Sequence, residues 1–245
     1  MKSIHKILCK SLFSSRRLYL LLLPLVGIGA WYSYEYSKVA NQAQDGGQLS
    51  FAIYHSIFQS IIVLCIIIPS FLVIIEFINV NLDKCEVLLK YKNIRKWWAD
   101  KNWGICLFSL IYIVIINAIV IAVIIFSGHG SQLNVNFLRY MFLGGLFQFL
   151  GFLILGNIYS IALLQIQHPS AGFFIAYAVI VLLDIIRDVS ESLLTFDFVT
   201  LEEYMFLMSN KVNLWHGLWL LLIFMLLYQL GLSISRGKDI YWGER

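Results

Sequence analysis

The run from residue 104 to residue 126 constrains this chain more than any other feature. Across residues 111–126 every side chain except that of Asn117 is apolar or aromatic, so a helix built from them keeps no polar face for water. Such a helix must be buried in a large protein core or in lipid. The composition decides between the two: of 245 residues 60% are hydrophobic and 13% charged, with a mean hydropathy of +0.80. A soluble domain has about a quarter of its residues charged, so this chain has too little polar surface to wrap helices of that kind. A transmembrane barrel would instead alternate apolar and polar residues in segments of about ten. The fold class is all-α, a polytopic membrane protein in a single domain over residues 1–245.

A helix needs about 20 mostly apolar residues to cross the hydrocarbon core. Six stretches meet or approach this, at about 18–36, 53–78, 104–126, 137–164, 171–186 and 214–234. Six crossings bring the chain back to its starting side. The fifth is the shortest, because Asp184, Arg187 and Asp188 interrupt it.

Short loops rich in Lys and Arg stay in the cytoplasm. The N-terminal tail carries five such residues, the connection between spans two and three carries six, and the C-terminal tail three, so fourteen of the eighteen share one side. Both termini are therefore expected in the cytoplasm of a cell-membrane protein. The other face holds seven acids, Glu35 and Asp45 among them, against Lys38, Arg139, Arg187 and Lys211. The net charge of +4 thus reports topology, not nucleic-acid binding. A cleaved signal peptide competes for the first apolar run, with Gly27 and Gly29 as small residues; the run continues past them through Trp31 and Tyr32. Cys9, Cys65, Cys85 and Cys106 lie in spans or near the cytoplasmic boundary, where no extracellular disulfide forms.

Three segments are not simple spans. Residues 1–15 place Ile4, Ile7, Leu8 and Leu12 opposite Lys2, Lys6 and Lys10, the pattern of an elbow helix lying on an anionic leaflet, or else a basic tail that only fixes topology. In the inner connection, residues 79–103, Val87, Tyr91, Ile94 and Trp98 recur at spacings of four, three and four amid the six basic residues. This predicts an amphipathic cytoplasmic helix that offers a docking surface to lipid headgroups or to a soluble protein, with Trp97, Trp98 and Trp103 at the membrane interface. Residues 187–213 are too polar to span and too long for a turn. They read as an outer cap over a pathway, or as a shield for the helix ends, with a capping box from Thr200 to Glu203.

Polar groups within the apolar runs are few. Glu76 and Asp184 stand near the ends of their spans, Asn117 and Gln148 deeper, and Gln148 shares a helix face with Gly144 and Gly151. A charge at mid-bilayer costs about 2.5–3.5 kcal/mol, so these four are candidates for a pathway or for helix packing. No catalytic constellation is present: His-Glu-x-x-His, Gly-x-Ser-x-Gly and Cys-x-x-Cys are all missing, and the five histidines are scattered. The Gly237–Lys238 pair lacks the upstream glycine of a nucleotide loop. Neither a catalytic nor a metal site is expected, and this chain is not expected to hydrolyse ATP.

The assembled pattern resembles the permease subunit of an ABC transporter of the type-2 exporter class, most closely the small bacterial permeases that export peptides or bacteriocins. The match is carried by the elbow from Ile4 to Leu12, by Glu76 followed by Asn81, Leu82, Leu88 and Leu89, by the basic run at 90–96 with Lys101, and by the outer segment 188–210. It covers nearly the whole chain as architecture. The Pro-x-x-Arg-like turn common in that family is replaced by residues 91–95, and span five is poorly delimited. The resemblance implies a coupling segment at 79–103 in which Asn81, Leu82, Lys84, Glu86, Leu88, Lys90, Lys92, Arg95 and Lys96 meet a separate ABC ATPase. That subunit would hold the ATP and Mg, with no cofactor in this chain. A second permease copy, or a related permease, would complete a pathway for an amphipathic peptide, in keeping with antimicrobial resistance or self-immunity. A non-transporting scaffold or immunity protein is the alternative, and an intramembrane enzyme a more distant one.

Overall fold

The computed structural model describes residues 16–39, 48–88, 91, 93–189 and 214–237. The expected elbow at residues 1–15 and residues 190–213 of the outer segment lie outside the described residues. Within the described residues the chain is helical and contains no strand. The helices are α1 (Arg16–Val39), α2 (Gln48–Ile57), α3 (Ile68–Leu82), α4 (Ile94–Phe126), α5 (Val135–Ile166), α6 (Pro169–Val189) and α7 (Leu214–Gly237). Each of the six apolar stretches is thus helical over most of its length. Four helical segments, Val63–Leu82, Ile94–Phe126, Val135–Ile166 and Gly217–Gly237, are long and apolar enough to cross a membrane.

The second stretch, read from sequence as one run over 53–78, is interrupted. Helix α2 stops at Ile57, a short turn follows at Ser60–Ile62, and a π-helical turn at Val63–Ile67 leads into α3. Pro69 accounts for the widened turn: it has no N–H to donate, and its ring collides with the carbonyl four residues back in a regular helix. The Ile68 amide bonds instead to the Val63 carbonyl five residues back. Irregular turns leave carbonyls under-used, and the Tyr112 hydroxyl on α4 donates to the Ile67 carbonyl at 2.8 Å.

Contacts between helices fix their directions. Gly104 lies against Ile78 and Leu82, and Gly156 against Ile105; the Phe71 ring meets that of Phe152 at a tilt of 46°, 4.5 Å between centroids. Consequently α3 and α5 run parallel, with α4 antiparallel between them. The chain reverses at Gln167, the one described non-glycine residue with a left-handed φ, 59°. It then returns as α6, with Gly172 against Leu163. Helix α7 packs on α5 and α4, parallel to α5. The core centres on Phe71, Tyr112 and Phe152, one ring from each of α3, α4 and α5. At Gly156 an added Cβ would stand 2.5 Å from the Ile105 Cγ2, so the missing side chain sets how closely α4 and α5 approach. One end of the bundle carries Lys84, Arg95, Lys96 and Arg236 and is called the basic end below. At the other end Phe51 meets the edges of Phe137 and Tyr140, and the Tyr36 hydroxyl joins α1 to Ser56 on α2 at 2.5 Å.

Candidate coupling surface at the basic end

The connection between spans two and three is not the single amphipathic helix that its apolar spacing predicts. Helix α3 ends at Leu82, with the Asp83 amide bonded to the Asn79 carbonyl at 2.9 Å. One helical turn follows at Cys85–Leu88, and Asn93 is extended, with φ −146° and ψ 126°. Its side chain accepts a hydrogen bond from the Arg95 amide at 2.9 Å, an N-cap that starts a new helix at Ile94. No residue downstream stops that helix, so it runs without a break into span three for 33 residues. The segment is divided at Asn93, and its second half is the start of the 33-residue helix α4, which is long and apolar enough to cross a membrane.

The apolar stripe does exist, and the protein's own helices occupy it. Tyr91, Trp97 and Trp98 are buried with Val87, Leu88 and Ile94 against Ile161 and Leu164 of α5 and Tyr228 and Leu232 of α7. Trp98 is fully buried, and its indole N–H donates to the Tyr228 carbonyl at 3.1 Å. The ring fits because residue 231 is glycine: a Cβ there would lie 2.1 Å from the indole. Trp97 reaches the other way and donates to the Leu82 carbonyl at the end of α3, at 3.4 Å. The start of α4 thus holds α3 on one side and α5 and α7 on the other.

The basic residues divide into two groups. Lys101, which the charge count assigned to the inner loop, is fully buried and donates to both oxygens of Asp83, at 2.8 and 3.0 Å. Its ammonium also sits 4.7 Å from the Trp97 ring centroid. Burying an ammonium costs several kcal/mol unless a paired charge offsets it, and Asp83 supplies that charge. Lys84, Arg95 and Lys96 are exposed. Leu82 is buried and Leu88 half-buried, while Asn81 donates to the Phe77 carbonyl at 2.7 Å. Glu86 lies in the Cys85–Leu88 turn, and Lys90 and Lys92 lie outside the described residues. Tyr91 is buried near Asp100; burial raises its hydroxyl above the ordinary value, and the Asp100 carboxylate raises it further.

The polar candidates within the spans are not brought together. Gln148 is buried and donates to the Tyr54 hydroxyl at 3.2 Å. Asn117 is half-buried where α4 meets Gly145 of α5. Glu76 is half-buried on α3, and its carboxylate and that of Asp83 are within electrostatic reach of the buried Tyr159 hydroxyl. Asp184 lies on α6. Sequence reasoning overlooked a polar contact between α3 and α5, where the buried Ser160 hydroxyl lies 3.0 Å from the Asn79 amide oxygen. It also overlooked Asp83, Tyr228 and Gly231. Asp83 had a legible signal, an acid at the end of span two facing a lysine just before span three. Gly231 had none, since its role depends on a ring 133 positions earlier in the chain.

Compared with protein-family models, with curated proteins and with solved structures, the chain matches none. Among the described residues no three metal-ligating side chains come together. The basic end is a braced surface: an exposed cationic rim rigidly joined to three long helices.

Proposed function

We propose that this chain is the six-span permease subunit of an ATP-driven ABC exporter of the type-2 class, with the basic end and both termini in the cytoplasm of a bacterial cell. One observation carries the reading. The segment 83–101 is tied to α3 by the Lys101–Asp83 pair and to α7 by Trp98, so a push on it moves the membrane helices. A loose loop could not transmit that push. The alternating helix directions also support six passes. ATP and Mg would be held by a separate ATPase, whose nucleotide-driven closure biases only those permease conformations that differ in affinity for it. The exposed rim of Lys84, Arg95 and Lys96 is the contact surface in this reading. A second permease copy, or a related permease, completes the pathway. The mildly acidic outer face suits a cationic amphipathic peptide.

The test is affinity purification of the full chain in mild detergent, followed by transport assays on a variant with Lys84, Arg95 and Lys96 changed to Glu. A stoichiometric partner with a nucleotide loop, and loss of transport while ATP hydrolysis persists, are the expected results. Absence of such a partner, or unchanged transport, removes the assignment. A second reading, a non-transporting membrane scaffold or immunity protein, draws support from Gln148 and Asn79, whose polar side chains make contacts within the protein. Purification without any ATPase would favour it.

A further inference from the structure

One face of α4 stays outside the bundle along its whole length, and its chemistry changes in steps. Lys96 and Ala99 are exposed near its start, followed by Trp103 at 59% exposure, Leu110 at 52% and Val114 at 60%. These positions are separated by three, four, seven and four residues, which keeps them on one side of a helix. Arg95 flanks the same face and is exposed. The order runs from cation to interfacial aromatic to aliphatic, the sequence of environments met on entering a leaflet from water.

The lengths agree. Helix α4 has 33 residues, about 50 Å at 1.5 Å per residue, against a hydrocarbon core of about 30 Å. A helix tilted by about 30° needs about 23 residues to cross the core, and that count back from Phe126 places the core edge close to Trp103. Lys96 then lies about 10 Å beyond that edge, and its side chain can reach back about 6 Å to the headgroup layer, which extends about 5–7 Å past the core.

Neither Arg95 nor Lys96 has a carboxylate within ion-pair distance among the described residues, because Asp83 is engaged by Lys101. The backbone amide of Arg95 is taken by the Asn93 side chain, and that of Lys96 by the Asn93 carbonyl. Any attraction for an anion therefore comes from the two side chains.

We infer that Arg95, Lys96 and Trp103 form a lateral binding site for the headgroup of an anionic phospholipid in the cytoplasmic leaflet. Arg95 and Lys96 belong to the rim proposed to meet the ATPase at the end of the bundle, and they also continue the stripe on its side that faces lipid, where a headgroup would share them. The inference rests on the membrane reading and is independent of any ATPase.

The probe is spin-labelled phosphatidylglycerol or phosphatidylcholine, added to the full chain reconstituted in phosphatidylcholine bilayers, with the immobilised fraction read by electron paramagnetic resonance. The wild type should retain phosphatidylglycerol preferentially. Each of Arg95→Gln and Lys96→Gln should weaken that preference about five-fold. The charge-conserving pair Arg95→Lys and Lys96→Arg should keep it, and Lys38→Gln, at the opposite end, should not alter it. Equal retention of both lipids by the wild type, or an unchanged preference in Arg95→Gln and Lys96→Gln, overturns the site. Displacement of the lipid by millimolar glycerol phosphate would assign the residues to a free phosphate ligand and overturn it as well. Recovery of the protein from cells without detergent would defeat the membrane reading itself.

Discussion

Changing Gly231 to alanine should destabilise the protein even though helix propensity alone says the opposite. In the interior of a helix alanine is favoured over glycine by about 1 kcal/mol. Here the new methyl would stand 2.1 and 2.5 Å from two atoms of the Trp98 ring, where ordinary contact is 3.4–4 Å, so the indole or α7 must retreat by more than 1 Å. Overpacking of this kind costs about 1–3 kcal/mol. Displacing the ring also weakens its hydrogen bond to the Tyr228 carbonyl, worth about 0.5–1.5 kcal/mol. After the propensity gain is subtracted, the net loss is about 0.5–3.5 kcal/mol. Gly27 is the control, since it lies inside α1 with nothing within 4 Å of an added Cβ; alanine there should stabilise by about 1 kcal/mol. The effect at residue 231 should change sign once the ring is removed, so Gly231→Ala made on a Trp98→Leu background should stabilise. Equilibrium unfolding in mixed detergent micelles, followed by far-ultraviolet circular dichroism, reads all four variants and closes a double-mutant cycle. If Gly231→Ala stabilises as much as Gly27→Ala in the presence of Trp98, the proposed seating of α7 on α4 is wrong.

The buried ion pair gives an ordered series in the same unfolding assay. Asp83→Asn leaves a fully buried ammonium without its counter-charge and should cost about 3–5 kcal/mol. Lys101→Met leaves a carboxylate that water can still reach and should cost less. The double variant Asp83→Leu with Lys101→Met should recover most of the loss, and equal losses in all three would show that the pair is not a unit. Tyr91 predicts an alkaline limb. Its folded-state pKa lies above the ordinary 10.0 because of burial and Asp100, so the folded protein holds that proton where the unfolded chain releases it. Stability should be unaffected by this group below about pH 10 and fall as the pH rises above it. Tyr91→Phe should remove this component, which a pH series of unfolding curves would detect.

Pattern along the chain made the helical class, the six apolar stretches and the near ends of most helices legible, because helix formation and exclusion from water depend on local composition and period. The fourfold and threefold spacing of Val87, Tyr91, Ile94 and Trp98 was also a true signal of one apolar face. What covers that face was not legible. Periodicity says only that a side chain leaves water, and the occupants here, Ile161, Leu164, Tyr228 and Leu232, come from helices far along the sequence. The same limit explains Lys101. A tally of charges places a lysine by its neighbours in the chain, whereas its environment is set by the Asp83 carboxylate and the Trp97 ring.

Sequence alone determined that this chain is helical and that several of its helices are long and apolar enough to cross a membrane, since both follow from side-chain chemistry summed over short windows. Tertiary structure decided where the second run breaks, just after Ile57, which lysine is buried and which basic residues stay free, and that a glycine on the last helix receives a tryptophan from the fourth. Those outcomes turn on distances between residues remote in sequence. They are fixed only when the helices pack, because an ångström at Gly231 or Gly156 separates contact from collision and no local pattern encodes it.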